Sequence, residues 1–251
     1  MTRAIADAVV LLRRELLRYK RDRAYWVGQI AFPVVVVAFI GSGLNSSTSL
    51  ATGTDYISHL GSGVLMLLVG SGAVGSGFAL IQDRETGFLR ALLVAPVARV
   101  SIVAGKLAAR LLVSLVLVLV LTVLLALVAN VRVPHPMAAA FAILAVTVFF
   151  AALGIALATR LRRAEAFRML AALVTVPLYL FSGIFYTLGD LPTPLRLLAY
   201  ANPLAYGVDL FRFGLLGVSE IPVGVSAVVL VLLTAFSIWG AVALFERSDS
   251  A

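Results

Sequence analysis

Residues 111–131 read LLVSLVLVLVLTVLLALVANV, a run of 21 residues that contains no charged side chain. A helix that spans a bilayer needs about 20 mostly apolar residues, so this run is long enough to cross a membrane. Five further runs share this length and composition: Tyr25–Leu44, Tyr56–Gln82, Val133–Thr159, Met169–Gly189 and Ile221–Phe245. The sequence therefore predicts one all-α integral membrane domain over residues 1–251, with six spans between residues 25 and 245.

The composition of the chain excludes a soluble globular protein. Hydrophobic residues make up 62% of the 251 residues, charged residues make up 13%, and the mean hydropathy is +1.07. A soluble domain has about 45–50% apolar and about 25% charged residues, which is enough to cover its surface with polar groups. The chain also has no cysteine, which excludes a disulfide scaffold. We therefore expect the lipid bilayer to be its solvent.

The distribution of positive charge predicts the orientation of the spans. Of the 20 Lys and Arg residues, 17 lie in segments 1–24, 83–110, 160–168 and 246–251, which alternate with the segments holding the other three. Positively charged loops stay on the cytoplasmic side of a cell membrane. Both termini, including the tail at 246–251, are therefore predicted to be cytoplasmic. The net charge of +8 reflects this topology and gives no indication of nucleic-acid binding.

The first 24 residues are predicted to form an amphipathic helix at the cytoplasmic surface. One helical face carries Ile5, Val9, Leu12, Leu16 and Tyr19, and the other carries Arg14, Arg18 and Arg21. Such a helix lies in the interface with its basic face toward anionic headgroups. A plain positively charged anchor is the alternative interpretation, and the two are compatible.

A short cytoplasmic helix is predicted over residues 83–95. Asp83 and Glu85 precede the apolar stretch Phe88–Ala95, and Pro96 ends it. Acidic residues favour the start of a helix and proline favours its end. About ten residues are too few to span a bilayer, so this helix lies in the lipid interface or docks into another protein.

The segment 186–220, on the predicted outer side, is too apolar for a solvated loop. Its apolar runs are short and are interrupted by Pro192, Pro194 and Pro203. Such runs are typical of re-entrant or interfacial half-helices. Asp209 and Arg212 are three residues apart and could pair on one helical face.

The glycines of the second span favour helix packing over nucleotide binding. Residues 70–75 match G-x-G-x-x-G, but the match lies inside an apolar run without the strand that a dinucleotide site needs. Gly63, Gly70 and Gly77 recur every seven residues on one face, where a neighbouring helix can approach closely. Gly105-Lys106 lacks the rest of a P-loop, so we expect no ATP site on this chain.

The chain carries no arrangement of acids, bases or metal ligands typical of an enzyme. Its six apolar runs contain no Asp, Glu, Lys or Arg that could couple an ion gradient to transport. A transporter of this kind must therefore take its energy from another protein. A membrane scaffold, a sensor or a channel subunit is the alternative.

Two stretches resemble the permease subunits of ABC-2 type (type V) ABC exporters. The first is Asp83-Arg84-Glu85-Thr86-Gly87-Phe88-Leu89-Arg90-Ala91-Leu92-Leu93-Val94-Ala95-Pro96-Val97, followed by Gly105-Lys106. The second comprises Ser182-Gly183-Ile184-Phe185-Tyr186, Leu191-Pro192, Asn202-Pro203-Leu204 and Asp209-x-x-Arg212. Phe88 departs from the family pattern, which has Thr after the glycine.

The resemblance implies roles for both stretches. It makes the first stretch a coupling helix that contacts a separate ABC ATPase, through Asp83, Arg84, Glu85, Gly87, Phe88, Leu89, Leu92, Leu93 and Pro96. It makes the second stretch a re-entrant outer segment containing Ser182, Gly183, Phe185, Tyr186, Pro192, Asn202, Pro203, Asp209 and Arg212. It further implies a dimer with a second permease subunit, ATP and Mg²⁺ bound by the ATPase, and no cofactor or metal on this chain. The implied function is outward transport of an amphipathic, drug-like or lipid-linked substrate.

Overall fold

The computed structural model describes residues 2–41, 43, 54–88, 94, 99–129, 131–161 and 163–248, and these residues form helices and turns without any strand. The helices in chain order are α1 (Thr2–Arg21), α2 (Arg23–Val36), α3 (Tyr56–Glu85), α4 (Arg99–Ala126), α5 (Pro136–Arg160), α6 (Ala164–Leu180), α7 (Thr193–Tyr200), α8 (Pro203–Leu216) and α9 (Val223–Ser248). A π-helical turn, Val37–Gly41, continues α2, and a 3₁₀ turn, Leu188–Asp190, precedes α7.

Five helices of the described chain are long and apolar enough to cross a membrane. They are Arg23–Gly41, Tyr56–Glu85, Val100–Ala126, Pro136–Arg160 and Val223–Leu244. This confirms an all-helical membrane architecture and matches five of the six predicted spans. The first and last of these helices are mostly exposed, with Phe39, Phe236 and Trp239 pointing away from the bundle. In a bilayer these apolar faces contact lipid.

The predicted span Met169–Gly189 differs from the structure at its C-terminal end. The corresponding helix α6 has 17 residues and ends at Leu180, so it is roughly 25 Å long, somewhat shorter than the hydrocarbon core. Pro177 lies in its last turn, and Gly183 adopts φ +74, a left-handed conformation that ends helical hydrogen bonding. The chain therefore turns within the interval that the apolar pattern assigned to a span.

The centre of the bundle is a close crossing of α3 and α5. Gly77 of α3 faces the carbonyl of Gly154, and Gly154 faces the backbone of Val74, so that a Cβ at either glycine would overlap main-chain atoms. A Cβ at Gly63 would come within 2.8 Å of the Ile184 Cα, a looser approach, whereas Gly70 is in ordinary contact with the Phe150 ring. Because residues 77 and 154 are glycines and have no Cβ, the backbones of α3 and α5 come into direct contact.

The segment after α6 folds into short helices, as predicted. The amide of Leu204 donates to the Asn202 side chain (2.9 Å) and begins α8, and Gly217 ends it in the left-handed conformation, with φ +76. Helix α8 is buried against α3, α5 and α9, whereas Leu197 and Leu198 of α7 are exposed. The two short helices therefore differ, since α8 belongs to the core and α7 lies at its surface.

Helix α1 packs against α4 through a different face from the predicted apolar one. Leu11 and Glu15 are buried, whereas Val9 is 55% exposed. Gly105 of α4 lies under this contact, where a Cβ would come within 2.8 Å of the Leu11 Cβ. The predicted face was partly wrong because the position of α1 is set by its fit against α4 as well as by its apolar stripe.

A charged junction as the candidate functional site

Four charged side chains from three helices meet at the end of the bundle where α1 packs. We call this group the charged junction; it consists of Arg14 and Glu15 of α1, Asp83 of α3 and Lys106 of α4. The Lys106 Nζ lies 2.9 Å from the Glu15 Oε1 and 2.5 Å from the Asp83 Oδ2. The Arg14 Nη2 lies 2.9 Å from the other Asp83 oxygen, and its Nη1 lies 3.2 Å from Glu15. Each acid therefore contacts both bases.

The junction is enclosed by the protein. Asp83 is 3% exposed, Glu15 5% and Lys106 7%, while Arg14 is the most exposed of the four. Removing such charges from water costs several kcal/mol each unless partners compensate them. Two acids and two bases in mutual contact satisfy this requirement, and the loss of any one would leave a buried charge.

Local sequence explains how the three helices deliver these groups. Leu11 and Glu15 are one turn apart, so the contact of α1 with α4 carries the Glu15 carboxylate inward. Lys106 follows Gly105, the residue that allows the α1 backbone to approach. Asp83 lies in the last turn of α3, two residues before its last residue, Glu85. The junction therefore joins α1 to the end of α3 and the beginning of α4.

Further contacts connect the junction to its surroundings. The Arg14 guanidinium lies 3.5 Å above the centroid of the Phe88 ring, and the Arg18 side chain hydrogen-bonds the Gln82 side chain. The Arg84 Nη1 donates to the carbonyl of Leu161, at 3.2 Å, just after α5. The last turn of α3 is thus bonded to α1, α4 and the end of α5.

A second polar cluster lies around α8, away from the junction. The Arg212 Nη2 donates to the Gly183 carbonyl at 2.8 Å, and its Nη1 lies 3.6 Å from the Glu220 carboxylate. Asp209 accepts from the backbone amides of Glu220 (2.7 Å) and Ile221 (3.2 Å), and burial raises the pKa of Asp209 to about 6. Asp209 and Arg212 form no direct ion pair in the described residues, which corrects the expectation that they could pair; instead both contact Glu220, Asp209 through its amide and Arg212 through its carboxylate.

Comparison with known proteins identifies the family. The sequence model of the ABC-2 type transporter family matches residues 7–216, most of the chain. The chain belongs to the ABC-2 type transporter family. The matched region includes the charged junction and, of the second polar cluster, Gly183, Asp209 and Arg212.

Three relatives show what this permease is similar to. A protein of Porphyra purpurea named as a transport permease, ycf38, is 30% identical over 214 residues, which cover 83% of this chain and 74% of the relative. The inner membrane transport permease YadH of Escherichia coli K12 is 25% identical over 231 residues, covering 89% and 88%. Nodulation protein J of Rhizobium leguminosarum is 27% identical over 214 residues, covering 82% and 80%. The chain is therefore a multi-pass transport permease, and its family implies partnership with an ABC ATPase.

The predicted coupling segment of the permease begins differently from the expectation. Asp83, Arg84 and Glu85 form the last turn of α3 and not the first turn of a separate helix over 83–95. The helical hydrogen bond from the Thr86 amide to the Gln82 carbonyl is intact at 2.9 Å, and Gly87 then breaks the helix with φ +75. Acidic residues alone did not mark a helix start, because a glycine stop follows them. Leu89, Leu92, Leu93 and Pro96 lie outside the described residues.

The predicted outer residues of the permease occupy the turns around α7 and α8. The Ser182 hydroxyl donates to the Tyr179 carbonyl at 2.7 Å, and the Tyr186 hydroxyl bonds the Leu180 carbonyl. The Phe185 carbonyl accepts from the Tyr56 hydroxyl at 3.2 Å. Pro192 immediately precedes α7, and Pro203 is the first residue of α8. These contacts fasten the segment to α3 and α6.

The sequence analysis missed Glu15 and Lys106 as site residues. Glu15 is an acid between two arginine-rich turns of α1, one turn after the apolar Leu11. An isolated acid on the edge of an apolar face indicates a buried partner, and this signal could have been used. The sequence analysis considered Gly105-Lys106 for its similarity to a P-loop and as the end of the family-like stretch, but not as a pair of site residues. The position of Lys106 opposite Glu15 depends on how two helices pack.

Proposed function

We propose that this chain is the permease subunit of an ATP-driven ABC exporter that moves an amphipathic, drug-like or lipid-linked substrate outward. In this proposal ATP and Mg²⁺ bind to a separate ABC ATPase, two permease subunits form the pathway, and both termini are cytoplasmic. Family membership and the five apolar helices support a transport subunit. The observation that supports the ATP-driven mechanism is the charged junction.

The charged junction holds the two ends of the coupling segment together. Asp83 is the first residue of the predicted segment and Lys106 follows the segment, 23 residues after Asp83, yet their charged groups are 2.5 Å apart. A force applied to the residues between them is therefore delivered to α3 and α4 together. Because both side chains also contact α1, the three helices move as one unit.

This arrangement suits a permease whose six predicted apolar runs contain no Asp or Glu to carry protons. ATP-driven closure of the ATPase pair would push on the coupling segment, and the junction would transmit the displacement to α3. Helix α3 crosses α5 at Gly77 and Gly154 with backbone contact, so the displacement reaches the centre of the bundle. Close-packed helices transmit such shifts because they cannot deform continuously.

Replacing Glu85 with Lys is expected to weaken binding of the partner ATPase. Glu85 is exposed at the end of α3, within the predicted coupling segment but outside the charged junction. Charges at the edge of an interface mainly set specificity and association rate, so reversing one lowers affinity by about tenfold. Copurification of the ATPase with tagged permease, together with ATP turnover of the complex, measures the effect.

The matched control is Glu165→Lys, the same charge change at an exposed position in the first turn of α6. Equal loss of ATPase binding in both variants would contradict a docking role for the coupling segment. Unchanged binding in Glu85→Lys would contradict it as well.

Orientation is testable because the chain has no cysteine. We expect Met137→Cys, at the exposed beginning of α5, to react with an impermeant maleimide in intact cells. We expect Arg163→Cys, exposed between α5 and α6, to react only after the membrane is permeabilised. The reverse labelling pattern would overturn the cytoplasmic placement of the termini.

A further inference from the structure

A buried arginine to which the described residues offer no acidic partner lies where α2, α3 and α4 meet. Arg110 of α4 is 1% exposed, and its guanidinium lies against Gly72 of α3, where a Cβ would overlap it. It donates from Nη1 to the Tyr25 hydroxyl of α2. Its Nε and Nη2 have no hydrogen-bond partner among the described residues.

Unused hydrogen-bonding groups occur on the adjacent turns of the same helices. The Gln29 Oε1 lies one turn after Tyr25 on α2, and the Ser114 hydroxyl lies one turn after Arg110 on α4. Both atoms are buried without a partner in the part of the chain that the structure describes. Buried polar groups are normally satisfied, so a concentration of unsatisfied ones next to a cation marks a place that can bind a polar ligand.

The charge balance around Arg110 identifies the sign of that ligand. Lys106, one turn earlier on α4, and Arg14 already neutralise Glu15 and Asp83. Arg110 is therefore a positive charge in excess of the junction. A buried cation is stable only with a counter-charge, so a ligand bound here would be an anion.

The aromatic residues beside the site indicate its depth in the bilayer. Tyr19, Tyr25 and Trp26 cluster where α1 meets α2. The ring centroids of Tyr19 and Tyr25 are 5.2 Å apart, and those of Tyr25 and Trp26 are 5.8 Å apart. Tyrosine and tryptophan concentrate at the level of lipid headgroups. Tyr25 hydrogen-bonds Arg110, so the guanidinium lies within reach of a headgroup phosphate.

We propose that Arg110 binds the phosphate of an anionic lipid-like molecule entering from the leaflet at the α1 end. Arginine matches phosphate geometry through paired N–H donors, and Nε with Nη2 forms such a pair. Helix α2 is largely exposed, with Pro33 as its one buried residue, so a small displacement of α2 opens the site to lipid. If the ligand is the transported molecule, this deepens the proposed function and rests on it.

Trp26 provides a reporter for this site. The chain has two tryptophans, and Trp239→Phe leaves Trp26 alone beside Tyr25. The full permease in phosphatidylcholine nanodiscs is mixed with phosphatidylglycerol whose acyl chains are brominated, and quenching of Trp26 reports binding. We expect a preference for the anionic lipid of roughly tenfold over brominated phosphatidylcholine, as for one charge-assisted hydrogen-bonded pair.

The preference should disappear in Arg110→Gln and persist in Arg160→Gln, where the arginine is exposed at the same end. An unchanged preference in Arg110→Gln, or no preference in the reference protein, would overturn the proposal. If Arg110→Gln does not fold, Tyr25→Phe decides, because it leaves the guanidinium with one more free donor. The Tyr25→Phe variant should prefer the anionic lipid at least as strongly as the reference protein does. Loss of this lipid preference in Tyr25→Phe would reject the site.

ATP separates the two sources of the phosphate. With the partner ATPase bound, loss of quenching during ATP hydrolysis identifies a transported molecule, and quenching that ATP leaves unchanged identifies a resident phospholipid. Both results support the anion site. The first experiment uses the permease alone, so its failure is distinct from a failure to bind the ATPase.

Discussion

Lys106→Met is expected to destabilise the permease by about 3–5 kcal/mol, the range for breaking a buried ion pair by removing one partner. The substitution keeps the length of the side chain but removes the cation that contacts Glu15 and Asp83. Two buried acids then share Arg14, which is half-exposed. Thermal unfolding in detergent, followed by fluorescence or size-exclusion chromatography, should show a clear drop in Tm.

A second substitution tests whether charge balance causes this loss. Glu15→Met in the Lys106→Met background leaves Arg14 and Asp83 as a balanced pair, so the double variant should recover most of the lost stability. Lys20→Met, at an exposed position of α1, is the control and should unfold like the unmodified protein. If the double variant is less stable than Lys106→Met, the charge balance is not what holds the junction together.

Gly77→Leu is expected to prevent the close crossing of α3 and α5. An added Cβ would overlap the carbonyl of Gly154, and the rest of the side chain would meet the Phe167 ring. Neither helix backbone can move without breaking the packing around it, so the cost should be about 3 kcal/mol or more, at the upper end for overpacked sites. The yield of monodisperse protein and its Tm measure the effect.

Gly75→Leu is the matched control, two residues away on the same helix. A Cβ at Gly75 meets nothing within 4 Å, and the residue is exposed. It should leave both yield and Tm nearly unchanged, because the helix gains a residue of higher propensity. Similar losses in the two variants would mean that glycine content matters to α3 more than contact with α5.

The spans were predictable because the length of an uncharged apolar run is enough to identify a membrane-spanning helix. Five of the predicted runs correspond to helices that are long enough to cross a membrane. The end of α6 was not predictable in this way, since its residues are as apolar as those of a span. Pro177 and the positive φ of Gly183 decide where the helix stops, and an average over hydropathy does not include backbone conformation.

The charged junction could not be predicted from periodicity. Glu15 and Lys106 are 91 residues apart, and Arg14 and Asp83 are 69 residues apart. Periodicity relates residues within a helix, where side chains three or four positions apart are neighbours. Which face of α1 is buried depends on the steric fit at Gly105, and periodicity contains no information about that fit. The apolar pattern therefore predicted that Arg14 faces lipid headgroups, whereas in the structure Arg14 contacts Asp83.

Helix α8 can pack into the bundle only late in the synthesis of the chain. Its 14 residues are too few to cross a bilayer alone, and its Arg212 bonds the Gly183 carbonyl and approaches the Ser62 hydroxyl of α3, at 3.4 Å. An arginine leaves water at acceptable cost only when such partners are already present. Asp209 in turn accepts from the amides of Glu220 and Ile221, just before α9 begins at Val223. A nascent chain that stops before residue 220 therefore leaves the Asp209 carboxylate without its two amide donors, so α8 is fully stabilised only once the beginning of α9 has been synthesised.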